Sequence, residues 1–200
     1  MEAIEILYRT PALVVCIKPV GVDAEHGLPQ RLQSQLGGQI YTVHRLDQNV
    51  GGLMIFARTK VAAAELTQAM AQGRIWRQYL AMVHGTPPAA GIWKDLLFKD
   101  SRKNKVFVVK KARAGVKEAS LEYTLEQTYC DRSLVKIRLH TGRSHQIRVQ
   151  FASRGYPLVG DHKYGSRSAE TAPLLWSWSI SFPEGKEEKT IAVLPPWVEA

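Results

Sequence analysis

Along the 200 residues the spacing of apolar positions changes repeatedly, and each change marks an element. Residues 5–8 and Leu13–Lys18 (LVVCIK) read as two strands separated by a Thr10-Pro11 turn. Lys18-Pro19-Val20-Gly21 then forces extended, irregular backbone, because a residue before proline is steered out of the helical region. Residues 22–38 are weakly patterned, a loop followed by one short helix over residues 29–36. Leu53-Met54-Ile55-Phe56-Ala57 is apolar without alternation and far too short to span a bilayer, so it predicts a strand buried on both faces. Residues 61–70 are rich in strong helix formers and end before Gly73, which predicts a helix. Residues 77–84 return to strand character and stop at Gly85 and Pro87-Pro88. Two further strands fit residues 121–127 and 134–139, the second placing Val135, Ile137 and Leu139 on one face and Lys136, Arg138 and His140 on the other. Ser144 can then cap a helix in which Ile147 and Phe151 lie one turn apart, with Gly155 as a left-handed stop. Residues 176–182 form another strand, with residues 189–192 pairing at its edge. Strands outnumber helices and arrive in hairpin-like order, so an α+β class around a mixed, mainly antiparallel central sheet is expected. Neither a repeat nor a composition shift marks a second folding unit, so residues 1–200 read as a single domain.

Composition narrows the partners. Hydrophobic content is 45% with 22% charged residues, an ordinary globular balance, while the net charge of +9 points to a polyanion. Eight basic residues in the stretch 99–117, among them Lys110 and Lys111, face the single acid Asp100 and supply +7 of that charge. A charge run is usually a solvated loop or hairpin, but this concentration favours a phosphate-facing surface. No basic amphipathic helix and no membrane-length apolar run is present, so no membrane partner is expected. Cys16 lies inside an apolar run and Cys130 has no partner spacing, which implies a reducing compartment. The N-terminus carries acid where a secretory signal carries base, so a cytoplasmic protein is expected.

Candidate chemistry centres on Tyr41 to Lys60 (YTVHRLDQNVGGLMIFARTK), where Asp47 sits on the loop feeding the buried strand. An Asp before a glycine pair is ordinarily a turn residue, yet a catalytic carboxylate also belongs on a loop held by a stiff scaffold. Arg45 beside it would favour the ionised form. Arg143, His145 and Arg148 come from the start of a distant helix, whose N-terminus attracts anions and could hold phosphate or Asp47 itself. A metal reading of His44, His140, His145, Asp161 and His162 finds no ligand spacing, and the basic surroundings oppose a divalent cation. Thr141-Gly142-Arg143-Ser144-His145 fails the serine nucleophile pattern because Gln146 stands where glycine is required. Neither glycine pair belongs to a nucleotide fingerprint, so no cofactor is indicated.

His44-Arg45-Leu46-Asp47, then Gly52-Leu53 and an apolar strand ending Ala57-Arg58-Thr59, resembles the catalytic signature of RluA-type pseudouridine synthases. The segment Gly142-Arg143-Ser144-His145-Gln146-Ile147-Arg148-Val149, with Gly155 to Asp161 and Tyr164-Gly165 after it, is similar to the family's second signature. Supporting matches are Leu7-Tyr8 through Lys18-Pro19 and Gly21, and Tyr79 in Arg77-Gln78-Tyr79-Leu80-Ala81, so the resemblance spans nearly the whole chain. It implies a single pseudouridine synthase catalytic domain, without the small RNA-binding domain that some relatives append, that isomerises uridine in a structured tRNA or ribosomal RNA without metal or cofactor; a monomer is expected. Asp47 would be the essential carboxylate, Arg148 its partner and Tyr79 the ring against the base. Leu175 would line the pocket, and Arg45 would enter the space left by the extruded nucleotide. Asp47 could attack the sugar or remove a sugar proton; either role needs it charged and desolvated. A tyrosine offers a flat face for stacking and a hydroxyl for proton traffic, and stacking is the expected use of Tyr79. The chain departs from the family pattern at Val50-Gly51, where Thr or Ser and then Ser are usual, and at Trp176-Ser177, where His-Ala is common. Both changes bear on substrate choice. The rival reading is a non-catalytic RNA-binding or ribosome-assembly protein on the same fold; a metal-dependent nuclease is a third.

Overall fold

A computed structural model describes residues 3–198; residues 1, 2, 199 and 200, and with them the tip of the acid-bearing N-terminus, lie outside it. The chain forms eleven strands and three α-helices among the described residues. In order these are β1 (Ile6–Arg9), β2 (Leu13–Lys18), α1 (Gly27–Leu36), β3 (Tyr41–Thr42), β4 (Gly51–Ala57), α2 (Lys60–Ala71) and β5 (Trp76–His84). They continue with β6 (Ala90–Asp100), β7 (Lys105–Val109), β8 (Val116–Thr128), β9 (Arg132–Leu139), α3 (Gln146–Ala152), β10 (Leu175–Glu184) and β11 (Glu187–Ala192). The fold is α+β with mixed pairing, as the strand pattern predicts: the registered pairs are antiparallel apart from β4 with β10.

Two compact units divide the chain. Among the described residues, 3–78 and 176–198 make the first and 79–175 the second. The first unit is built on β4, every residue of which is buried. Leu53, Met54, Ile55 and Phe56 are wholly enclosed, and at about 1.5–3 kcal/mol for each such side chain the strand is a stiff support for the loop before it. β2 and β3 flank β4 in antiparallel register, with β1 beyond β2 and β10 on the parallel side, where β11 covers it. α2 closes one face through Ala62, Leu66 and Ala69, and Thr59 starts it by accepting a hydrogen bond from the Ala62 N–H at 3.1 Å.

In the second unit the strand order is β5-β9-β8-β6-β7. Trp93, Tyr123 and Phe151 form a cluster of tilted and edge-on rings with centroids 4.5–5.3 Å apart, which seats α3 against β6 and β8. Residues 90–100 and 105–109, to which the sequence pattern assigns no strand, are the long strand β6 and the edge strand β7. Both faces of β6 mix apolar and charged side chains, so no clean alternation announces it.

Candidate functional site

Asp47 lies half-buried in the turn between β3 and β4, and its carbonyl accepts the Val50 N–H at 3.0 Å. The start of β4 needs Gly52 at φ +113°, where β10 passes so closely that a Cβ would meet the Ser177 backbone. Two buried bases grip this loop. Lys18, fully enclosed at the end of β2, donates from Nζ to the carbonyls of Pro19 (3.0 Å), Val22 (2.8 Å) and Gln48 (3.0 Å). All three ammonium protons therefore have acceptors, one of them on the residue next to Asp47. Burial pushes Lys18 down to about 8, a fall that the charges of Asp47 and Asp23 oppose. His44, also buried, accepts the Ile55 N–H at Nε2 (3.1 Å), which continues the β3–β4 pairing with a side chain. Burial and the Arg77 charge hold its imidazole at about 3, so it stays neutral.

Lys18 escapes notice as a site residue in the sequence, although a signal exists: the strand period places it on the same face as Val14 and Cys16. Arg45, the cation expected to bias Asp47, is exposed and pairs with Glu25 at 2.8 Å. Such a surface pair contributes about 0–1 kcal/mol and yields readily to a phosphate. From within the fold, the charge of Lys18 interacts with that of Asp47.

The second unit carries Tyr79, Lys110, Lys111, Arg143, His145, Arg148 and Leu175. Tyr79 is buried in β5 and Leu175 is buried at the start of β10. Lys110 and Lys111 are exposed between β7 and β8. Arg148 forks onto Asp161, Nε to Oδ2 at 2.7 Å and Nη2 to Oδ1 at 2.8 Å, with only 8% and 1% of the two side chains exposed. A two-point bond of this kind fixes the guanidinium plane and offsets its desolvation. Asp161, weighed above as a metal ligand, is thus an arginine anchor. Among the described residues no three His, Cys, Asp or Glu side chains converge as a metal site would require.

Ser144 does not cap α3, contrary to the expectation from its place in the sequence. His145 precedes the helix in a left-handed conformation (φ 50°) without a side-chain cap bond. The Gln146 side chain supplies the order instead: its Oε1 accepts from the Arg143 N–H (3.0 Å) and the Thr141 hydroxyl (2.8 Å), and its Nε2 donates to the Ser120 carbonyl (3.0 Å). Arg143, exposed, reaches back to the Glu118 carbonyl at 2.9 Å. Tyr164 gathers the neighbourhood, since its hydroxyl accepts the Val106 N–H and meets His145 Nδ1, both at 2.9 Å, while Arg148 Cζ lies 5.2 Å from its ring centre.

The family model described as RNA pseudouridylate synthase matches residues 12–153. Ribosomal large subunit pseudouridine synthase C of Buchnera aphidicola is 30% identical over 96% of this chain and 66% of its own length. Ribosomal large subunit pseudouridine synthase D of Vibrio cholerae is 30% identical over 82% of the chain and 54% of its own length. The chain therefore spans between about half and two thirds of these relatives. Human RNA pseudouridylate synthase domain containing 1 superposes with a TM-score of 0.85 at 23% identity, covering 98% of this chain and 85% of that one, a likeness of fold. With Asp47 and Arg148 inside the matched segment and the fold shared throughout, the chain belongs to the RNA pseudouridylate synthase family.

Proposed function

We propose that the protein is an RNA pseudouridine synthase that isomerises uridine to pseudouridine in a structured tRNA or ribosomal RNA, with Asp47 as its essential carboxylate. The two units act as one catalytic domain, a monomer working in the cytoplasm with neither metal nor cofactor. The observation that carries this reading is the enclosed Lys18, which grips the Gln48 carbonyl beside Asp47 and shares its field. A passive RNA binder has no need to bury an ammonium next to a half-buried carboxylate, because such burial costs stability and contributes nothing to surface contacts.

The reaction breaks the glycosidic bond, turns the base and rejoins it through carbon, so the uridine has to leave its stack. Tyr79 is proposed to stack on the base beside Leu175, and Arg148, held by Asp161, to serve the same reaction. Arg45 is proposed to leave Glu25 for the space of the extruded nucleotide. Arg143 and His145 would meet its backbone, and Lys110 and Lys111 phosphates further along. The names of the two bacterial relatives favour large-subunit ribosomal RNA over tRNA as substrate.

Pseudouridines mapped in total RNA from cells with and without the protein identify the site. With that RNA in hand, Asp47→Asn is expected to abolish product while RNA affinity stays within a few fold. Turnover by the variant at the wild-type rate would remove Asp47 from the chemistry, and no protein-dependent pseudouridine anywhere would favour the passive binder.

A further inference from the structure

Within the second unit, cations and aromatic rings alternate along a path that ends at Arg148. Phe98 of β6 and Phe107 of β7 are direct cross-strand partners, so their rings leave the same face of the hairpin. Arg113 Cζ lies 4.6 Å from the Phe98 ring centre. Lys105 Nζ stands between two rings, 5.8 Å from that of Phe107 and 5.2 Å from that of Tyr164. Arg148 Cζ is likewise 5.2 Å from the Tyr164 ring. Phe107 keeps 36% of its surface exposed, and Ile92, further along the same face of β6, keeps 67%. The one acid of residues 99–117, Asp100, is turned inward on its own turn, where its carboxylate accepts the N–H groups of Arg102 and Lys103.

We propose that this alternation is a binding track for unpaired RNA, which rests on the RNA-modifying role proposed above and specifies the form of its substrate. Bases stack on Phe107 and Phe98, phosphates are drawn to Lys105 and Arg113, and Tyr164 carries the track to Arg148. The chemistry favours a single strand over a duplex. A duplex presents phosphates to a basic surface and hides its base faces, so exposed rings add nothing to its affinity; an open strand uses both. The cations now covering the rings are long side chains that can move onto phosphates as bases arrive, because the attraction of a cation for a ring is weaker than for an anion in contact. An acidic protein surface would satisfy the charges and leave the rings without a flat partner. The target uridine accordingly sits in a loop or a readily opened stretch, with unpaired neighbours on one side.

The test is fluorescence anisotropy with a labelled oligouridylate of about ten nucleotides and with an RNA duplex of the same length, for wild type, Phe107→Ala and Phe107→Trp. Loss of the ring is expected to weaken single-strand binding roughly tenfold and to leave duplex binding within about twofold, with Trp restoring the single-strand affinity. Equal loss on both RNAs, no loss on either, or a Trp variant no better than Ala overturns the track. Lys105→Gln, expected to weaken both RNAs and flatten the salt dependence, guards against a misfolded Phe107→Ala. Failure here is separable from failure of the enzymatic reading. Selective loss on the single strand in a protein that forms no pseudouridine keeps the track and removes the synthase; pseudouridine formation with no effect of Phe107 does the reverse.

Discussion

Gly51 and Trp176, two departures from the family pattern, are one packing event. They stand opposite each other in the parallel pairing of β4 with β10. A Cβ on Gly51 would fall within 2.9 Å of Trp176 Cε3 and closer still to Cζ3, so the indole fills the space a serine would need. Trp176 is buried and its Nε1–H donates to the Val193 carbonyl at 3.0 Å, which fixes the indole in the core beside Gly51. Gly51→Ser is therefore expected to cost about 1–3 kcal/mol in urea unfolding, as overpacking usually does. Adding Trp176→His should return most of that loss, and a coupling near zero in the double-mutant cycle would show the two positions to be independent.

Residues 99–117, which include β7 and the turns on either side of it, supply +7 of the net charge of +9 and much of the cation–aromatic path. Lys110 and Lys111 sit exposed between β7 and β8. Reversing both charges is expected to weaken RNA binding and to lower the slope of log affinity against log salt by roughly 0.7–0.9 for each phosphate no longer neutralised. An unchanged slope would free that turn from RNA binding. β2 and β4 are legible in the sequence to within two residues, because a run buried on both faces has one reading. β6 is not: its face against α3 carries Trp93, Asp95 and Leu97, and Asp95 is there to pair with Arg154 at 2.9 Å. The start of α3 misleads for a related reason. A serine before a helix signals a cap, but the glutamine that opens the helix closes the loop through bonds to Ser120, Thr141 and Arg143, and of these only folding brings Ser120 near.

Stability of the whole molecule carries the mark of two of its buried bases, His44 and Lys18. His44 is held at about 3 against an ordinary 6.5, so the unfolded chain binds a proton that the native one refuses across that window. Its contribution is present above pH 6.5 and lost as the pH falls toward 3. At about pH 5.5 the loss is on the order of 1 kcal/mol, and His44→Asn is expected to flatten this part of the urea-unfolding profile. An acid limb identical in wild type and His44→Asn would exclude the imidazole as its cause. Lys18 is also depressed, to about 8 from 10.5, so its burial penalises the native state below pH 8 and relents as the pH rises toward 10.5. The sequence alone determined the α+β class, the buried strand, the concentration of charge and the motif carrying Asp47, because each depends on local period or residue type. Tertiary structure decided which cation stands by which anion. Arg45 goes to Glu25, Lys18 to the Asp47 loop and Arg148 to Asp161, since desolvation and hydrogen-bond geometry are fixed by distances that no linear spacing encodes.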